Sequence, residues 1–411
     1  MSSRYAIKTK GILGAVRDYL ALEHNILVLL VGLFVIGLGE ALWVRFMPKY
    51  LEGLGATIVI IGTFASFKKV VDTLYQYPGG WLSDLLGRKR ALVMFTLIAI
   101  VGYLIYLVSN SWELVFVGTL FVLAWSSMSQ PAIFALIGDT LKKSKRAMGF
   151  SVQSIWKRVP IVIAPVIGGY LMMRWGLVNG MRIGFVVSIV LALGAVYIQS
   201  HFYRTPQKSD NESSASLISV WRLMPKGLRN LLLADCMTRF GSNLAAVYVI
   251  LLVINLRGKT SVEFGAYIGL QMLVAIALYI PAAWIADHIG RRPLILVTFA
   301  IFALFPLVLI ALPPELLLLA FILAGLREFG EPARKALIVD LAADTHRGRV
   351  VGLYYMIRGL VVIPAPIIGA VLWGRGYQWP FLAAGLISLI GLGLYAFFSR
   401  GKGISVEGVG A

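Results

Sequence analysis

Gly79-Gly80-Trp81-Leu82-Ser83-Asp84-Leu85-Leu86-Gly87-Arg88-Lys89-Arg90 is the stretch from which the fold is read. It returns half a chain later as Ala282-Ala283-Trp284-Ile285-Ala286-Asp287-His288-Ile289-Gly290-Arg291-Arg292-Pro293, with Pro78 and Pro281 ahead of the two copies. In each copy a small-residue pair lets two helices approach closely, a carboxylate sits at a helix end, and a Gly-Arg turn reverses the chain. The recurrence argues against a chance match.

The setting is a membrane. Hydrophobic residues make up 59% of the chain and charged residues 14%, with a mean hydropathy of +0.84, which is the composition of an all-α polytopic membrane protein. The formal net charge of +19 has no separate basic domain to carry it, so no nucleic-acid partner is expected; positive residues in cytoplasmic loops account for it. One cysteine, Cys236, excludes an internal disulfide, and His24, His201, His288 and His346 lack ligand spacing, so neither metal nor cofactor is expected. A phosphate-cradling Gly-x-x-x-x-Gly-Lys-Ser/Thr loop is absent, which argues against an ATP-driven pump. No nucleophile, base and metal-ligand cluster stands at membrane depth, so an enzyme is not expected.

A membrane-crossing helix needs about 20 apolar residues, and twelve such spans can be drawn. They run over 25–48, 57–82, 91–109, 113–138, 146–173, 180–202, 230–255, 262–286, 293–312, 315–340, 348–373 and 378–399. The polar break from Tyr203 to Arg229 divides them into two sets of six and reads as a linker with a short surface helix near Leu217 to Met224. The domain organisation is therefore a segment 1–24, bundles 25–202 and 230–399, the linker 203–229 and a tail 400–411. Met1 to Glu23 lacks the apolar core of a removed signal. Lysines and arginines concentrate in the loops around Arg88 to Arg90, Lys142 to Arg146, Arg204 to Arg229, Arg291 and Arg292, and Arg347 and Arg349, which places both termini in the cytoplasm.

The halves repeat beyond the quoted stretch. Gln130-Pro131-Ala132, Asp139 and Ala164-Pro165-Val166-Ile167-Gly168-Gly169 return as Glu331-Pro332-Ala333, Asp340 and Ala365-Pro366-Ile367-Ile368-Gly369-Ala370. With the duplicated loop, this resembles the major facilitator superfamily of secondary transporters over nearly the whole chain. The resemblance implies twelve transmembrane helices in two pseudo-symmetric six-helix bundles around a central cavity. It also implies that Gly80, Asp84, Arg88 and Asp139, with Asp287, Arg291 and Asp340 in the second half, form a conformational latch; a static pair that only orients the loops is the other reading. The Ala-Pro-x-x-Gly-Gly run resembles the fifth-helix motif of the proton-coupled exporters, although its near-copy in helix eleven suits an architectural element. The exporters' membrane arginine in helix four is missing, since 114–137 carries no charge.

A charge at the bilayer centre costs about 2.5 to 3.5 kcal/mol on insertion scales, so charges within spans should face a cavity or a partner. Helices three, six, nine and twelve carry none in their interiors, which fits the lipid-facing set of the implied fold. Proton-coupling candidates are Glu40, first, and then Asp72, Asp235 and Glu328. Glu40 stands in Gly37-Leu38-Gly39-Glu40-Ala41 with no base one turn back, so it either carries a proton or is bonded permanently to a lysine of helix two. Cavity candidates are Arg45, Lys68, Lys69, Lys157, Arg158, Arg239, Asn243, Gln271, Arg327, Glu331 and Arg358. Lys68 with Asp72, Asp235 with Arg239, and Arg327 with Glu331 are four residues apart and fall on one helix face each. Lys157 and Arg358 lack an obvious local partner.

The expected function is secondary active transport of a small organic solute by a monomer in the plasma (inner) membrane, coupled to protons and leaning to export. Exchange or uptake of an organic anion or phosphate ester is the alternative. Bases outnumber acids in the spans, which favours an anionic or zwitterionic substrate.

Overall fold

Both quoted loops turn on glycine. Gly87 and Gly290 adopt φ of 80° and 97°, a left-handed backbone that a side chain resists, so each reversal needs the residue the sequence supplies. Gly55 pairs in the same way with Gly258, and Gly176 with Gly376, so the positive-φ glycines among the described residues all match across the repeat. Thr57 and Thr260 follow the first of these pairs and cap the next helix; Thr260 forms a reciprocal capping box with Glu263.

The computed structural model describes residues 23–140, 152–203, 221, 224–341 and 347–400. Among the described residues nine helices are long and apolar enough to cross a membrane, and with shorter or more polar helices they follow in the order of the twelve expected spans. The first six are His24–Gly53, Ile58–Leu86, Arg88–Val108, Trp112–Met128 continued by Ser129–Thr140, Val152–Trp175 and Leu177–Phe202. The second six are Lys226–Leu256, Ser261–His288, Arg291–Ala311, Leu317–Leu326 with Glu331–Leu341, Arg347–Val362 with Ala365–Arg375, and Trp379–Arg400. Lys68, Lys69 and Asp72 keep the second span from being a purely apolar membrane helix. The linker residues 204–220 and 222–223, with the proposed surface helix, lie outside the described residues, as do 1–22, 141–151 and 401–411.

The expected span over 315–340 is not one helix. It stops at Leu326, turns through Arg327 to Gly330, and restarts at Glu331. Gly330 permits this: a Cβ there would meet Thr298 Oγ1 and the Leu294 carbonyl, and its amide donates to Thr298 Oγ1 at 2.7 Å. The freed backbone group is thus satisfied from the ninth span, as membrane depth demands. The fourth span carries a π-helical stretch at Ala124–Met128, the fifth turns at Lys157 and Arg158, and the eleventh breaks ahead of Ala365.

The Ala-Pro-x-x-Gly-Gly run is architectural in both halves. Gly168 lies on the Leu42 carbonyl of the first span, and its counterpart Gly369 lies on the Leu244 carbonyl of the seventh. One residue on, Gly169 meets the Ser261 backbone of the opposite half, and Ala370 meets Gly62. Each copy therefore packs once within its own bundle and once across to the other. Exposed apolar side chains, among them Leu97, Val190, Leu304 and Leu386, mark the outer faces of the third, sixth, ninth and twelfth spans.

Candidate functional site

A cavity of about 350 Å³ lies between the two halves. The first and second spans contribute Arg45, Lys68, Lys69 and Asp72; the second half contributes Asn243, Gln271, Arg327 and the rings of Phe264, Phe302, Phe305 and Phe321. A side cavity of about 160 Å³ extends into the first half, lined by Glu40, Tyr106 and Thr119, and shares Val44, Lys68 and Val247 with the main one.

Glu40 is not bonded to a lysine of the second span. Its Oε1 accepts from Tyr103 Oη of the third span at 2.8 Å. Trp43, one turn on from Glu40, holds the Tyr103 ring edge-on at 5.9 Å and itself donates to Ser188 Oγ at 2.9 Å. The carboxylate thus faces a cavity that holds Lys68 while a buried hydroxyl fixes its orientation. Lys68 and Asp72 share a helix face but form no ion pair among the described residues; Asp72 Oδ1 accepts instead from Ser127 Oγ in the π-helical part of the fourth span.

In the second half the ionic groups collect below Asn243. Asp235, fully buried, accepts from Arg334 Nη1, from Tyr354 Oη at 2.9 Å and from Arg358 Nη1 at 3.3 Å, and Arg239 Nε stands 3.5 Å from its other oxygen. Glu331 bridges Arg239 and Arg334, the latter at 2.6 Å. The expected pairing of Arg327 with Glu331 fails because four-residue spacing presumes an unbroken helix, and the helix breaks between them. The Arg327 guanidinium instead lies over the rings of Phe302 and Phe305, at 4.8 and 5.6 Å. Arg239, Glu331 and Arg358, placed in the cavity by the sequence reading, belong to this cluster beside it.

Lys157 and Arg158 also stand off the cavity wall. The turn at 157–158 aims Arg158 across to the other half, where Nη2 donates to Glu328 Oε2 at 2.9 Å with the guanidinium 4.9 Å from the Tyr279 ring centre. A second link between the halves lies at the end remote from the glycine loops. Lys49 Nζ donates to Glu52 Oε2 at 2.5 Å and to Asn255 Oδ1, and Asn255 Nδ2 donates to Glu52 Oε1 at 2.7 Å. Of the latch groups, Arg291 pairs with Asp340, Arg88 donates to Ser83 Oγ at 2.9 Å, and Gly80 is helical. The side chains of Asp84, Asp139 and Asp287 lie outside the described residues.

Tyr103, Tyr354, Arg334 and the phenylalanine wall were not singled out from the sequence. A tyrosine hydroxyl within an apolar span needs a polar partner, and that signal was available at Tyr103.

A family model described as the Major Facilitator Superfamily matches residues 29–248 and 231–407. The chain belongs to the major facilitator superfamily. It is a multi-pass membrane transporter and not an enzyme. Multidrug resistance protein 2 of Bacillus subtilis (strain 168) is 22% identical over 390 residues, covering 92% of this chain and 95% of that one. Multidrug resistance protein MdtG of Enterobacter lignolyticus (strain SCF1) is 25% identical over 386 residues, covering 89% and 90%. The crystal structure of the nucleoside transporter NupG superposes with a TM-score of 0.74 at 12% identity, over 92% of this chain and 98% of that one, a likeness of fold. Superfamily membership explains why the charged spans face inward and the uncharged ones outward.

Proposed function

We propose that this transporter moves a small organic solute by alternating access, driven by protons and in the export direction, as a monomer in the plasma (inner) membrane with both termini cytoplasmic. The observation that carries the reading is Glu40. It is a carboxylate held by one neutral hydroxyl, on the wall of the side cavity that opens to the space between two repeat-related halves, without a bonded cation among the described residues. Such a group can change its proton without breaking an ion pair, and the side cavity joins it to the solute's space. The direction draws on relatives that bear multidrug-resistance names. In this reading Lys49, Glu52 and Asn255 close the outer side, and Arg291 with Asp340 holds the cytoplasmic loop of the second half.

The test uses proteoliposomes with an imposed pH gradient, an internal pH dye and added solute. Glu40→Gln is expected to abolish proton-driven movement while ligand binding stays measurable. Equal proton coupling in the variant would remove Glu40 from the mechanism.

A further inference from the structure

The two walls of the central cavity differ in chemistry. Arg45, Lys68 and Lys69 line it together with Asp72, from the first and second spans, and no ion pair of these three cations is seen among the described residues. Glu328 is paired with Arg158, while Asp72 on the same wall and Glu40 in the side cavity accept only from neutral hydroxyls, of Ser127 and Tyr103, so three cations face one carboxylate on the main cavity's wall. The opposite wall is aromatic, and guanidinium groups already lie over two of its four rings. Arg327 covers Phe302 and Phe305, and Arg239 lies 4.7 Å from the Phe302 centre. A lipophilic cation entering here meets three like charges against the single carboxylate of Asp72, and two of the four rings already carry a guanidinium.

We infer that the substrates are amphipathic organic anions, with the acidic group held by Arg45, Lys68 and Lys69 and the apolar body set against Phe264, Phe305 and Phe321. This rests on the transport reading above and gives its solute a class. An anionic head supplies counter-charge to a wall on which cations outnumber the one carboxylate, and Arg327 on the far wall adds to the attraction rather than opposing it. The cavity's size suits one or two fused rings or a short acyl chain rather than a peptide of several residues.

The experiment measures equilibrium binding to the purified full-length protein in neutral detergent. Its probes are three naphthalenes that differ in charge: naphthalenesulfonate, naphthylmethanol and naphthylmethylammonium. The sulfonate is expected to bind tightest, and loss of one charge-assisted hydrogen bond in Lys69→Gln or Arg45→Gln should weaken it about tenfold. Lys69→Arg, which keeps the charge, should hold near the parent affinity, and this separates loss of a contact from misfolding. Preference for the ammonium, equal affinity for all three, no sulfonate binding, or unchanged affinity in both glutamine variants overturns the inference. Competition by hexanesulfonate supports it with a short acyl chain as the natural body; failure of hexanesulfonate to compete while the naphthalene binds supports it with a ring. Counterflow of labelled sulfonate in proteoliposomes keeps the two readings apart. A probe that binds with the expected charge preference but is not moved supports the anion site and counts against transport of this class.

Discussion

Arg158 and Glu328 join the two halves of the chain by an ion pair of 2.9 Å, with the Tyr279 ring beneath the guanidinium. Each side chain keeps about a fifth of its surface exposed, so the pair contributes less than a fully buried one. Glu328→Gln should destabilise the protein by about 1–2 kcal/mol. The exchanged pair Arg158→Glu with Glu328→Arg should recover a good part of that loss. Thermal unfolding of the four proteins of this double-mutant cycle checks it, and purely additive effects would show the pair to be inert.

Asp235 answers to three guanidinium groups at once. Asp235→Asn leaves Arg239, Arg334 and Arg358 against the single carboxylate of Glu331, and the loss of a buried charge should cost about 3–5 kcal/mol. Arg239 and Arg334 keep Glu331, whereas Arg358 has no second carboxylate partner among the described residues, so Asp235→Asn with Arg358→Gln should be more stable than Asp235→Asn alone. Monodispersity and melting temperature in detergent decide between rescue and further loss.

Gly168 and Gly194 offer a matched pair in neighbouring spans. A methyl at Gly168 runs into the Leu42 carbonyl, so Gly168→Ala should separate the first and fifth spans at about 1–3 kcal/mol. Gly194 has nothing within 4 Å, and alanine there should be neutral or stabilise by up to about 1 kcal/mol. Equal melting temperatures for the two variants would show that the contact in the fifth span carries no strain.

Lys49, Glu52 and Asn255 make a closed ring of donors and acceptors between the halves. Cysteines placed at 52 and 255 and bridged by a short reducible linker should stop solute exchange, and reduction should restore it. Cys236 is buried and the sole native thiol, so the cross-link can be read without interference. Undiminished exchange in fully bridged protein would mean that this end stays shut throughout the cycle.

The duplicated loop and the repeated Ala-Pro runs were legible because glycine at a turn and small residues at a helix contact leave their mark in the residue itself. Gly87, Gly290, Gly168 and Gly369 sit where the pattern placed them. Side-chain partners were less legible. The pairing of Asp235 with Arg239 follows from helix spacing, but that of Arg327 with Glu331 does not survive the break at Gly330, and nothing in the spacing announces a break. Partners from other helices, such as Tyr103 for Glu40 and Glu328 for Arg158, depend on packing that a linear chain leaves open. The aromatic wall was hidden for another reason: phenylalanine is so common in apolar spans that its position alone carries no signal.

The amide of Gly330 is tied to a threonine of the ninth span and not to its own helix. The lower piece of the tenth span, with Glu331 and Arg334, is therefore anchored sideways to a lipid-facing neighbour, while the upper piece keeps its own hydrogen-bond ladder. A load applied at one surface of the bilayer reaches the other through a joint, so the span behaves as two levers on a shared pin. Amide exchange at 327–330 should then report the swing between them even while both pieces stay protected.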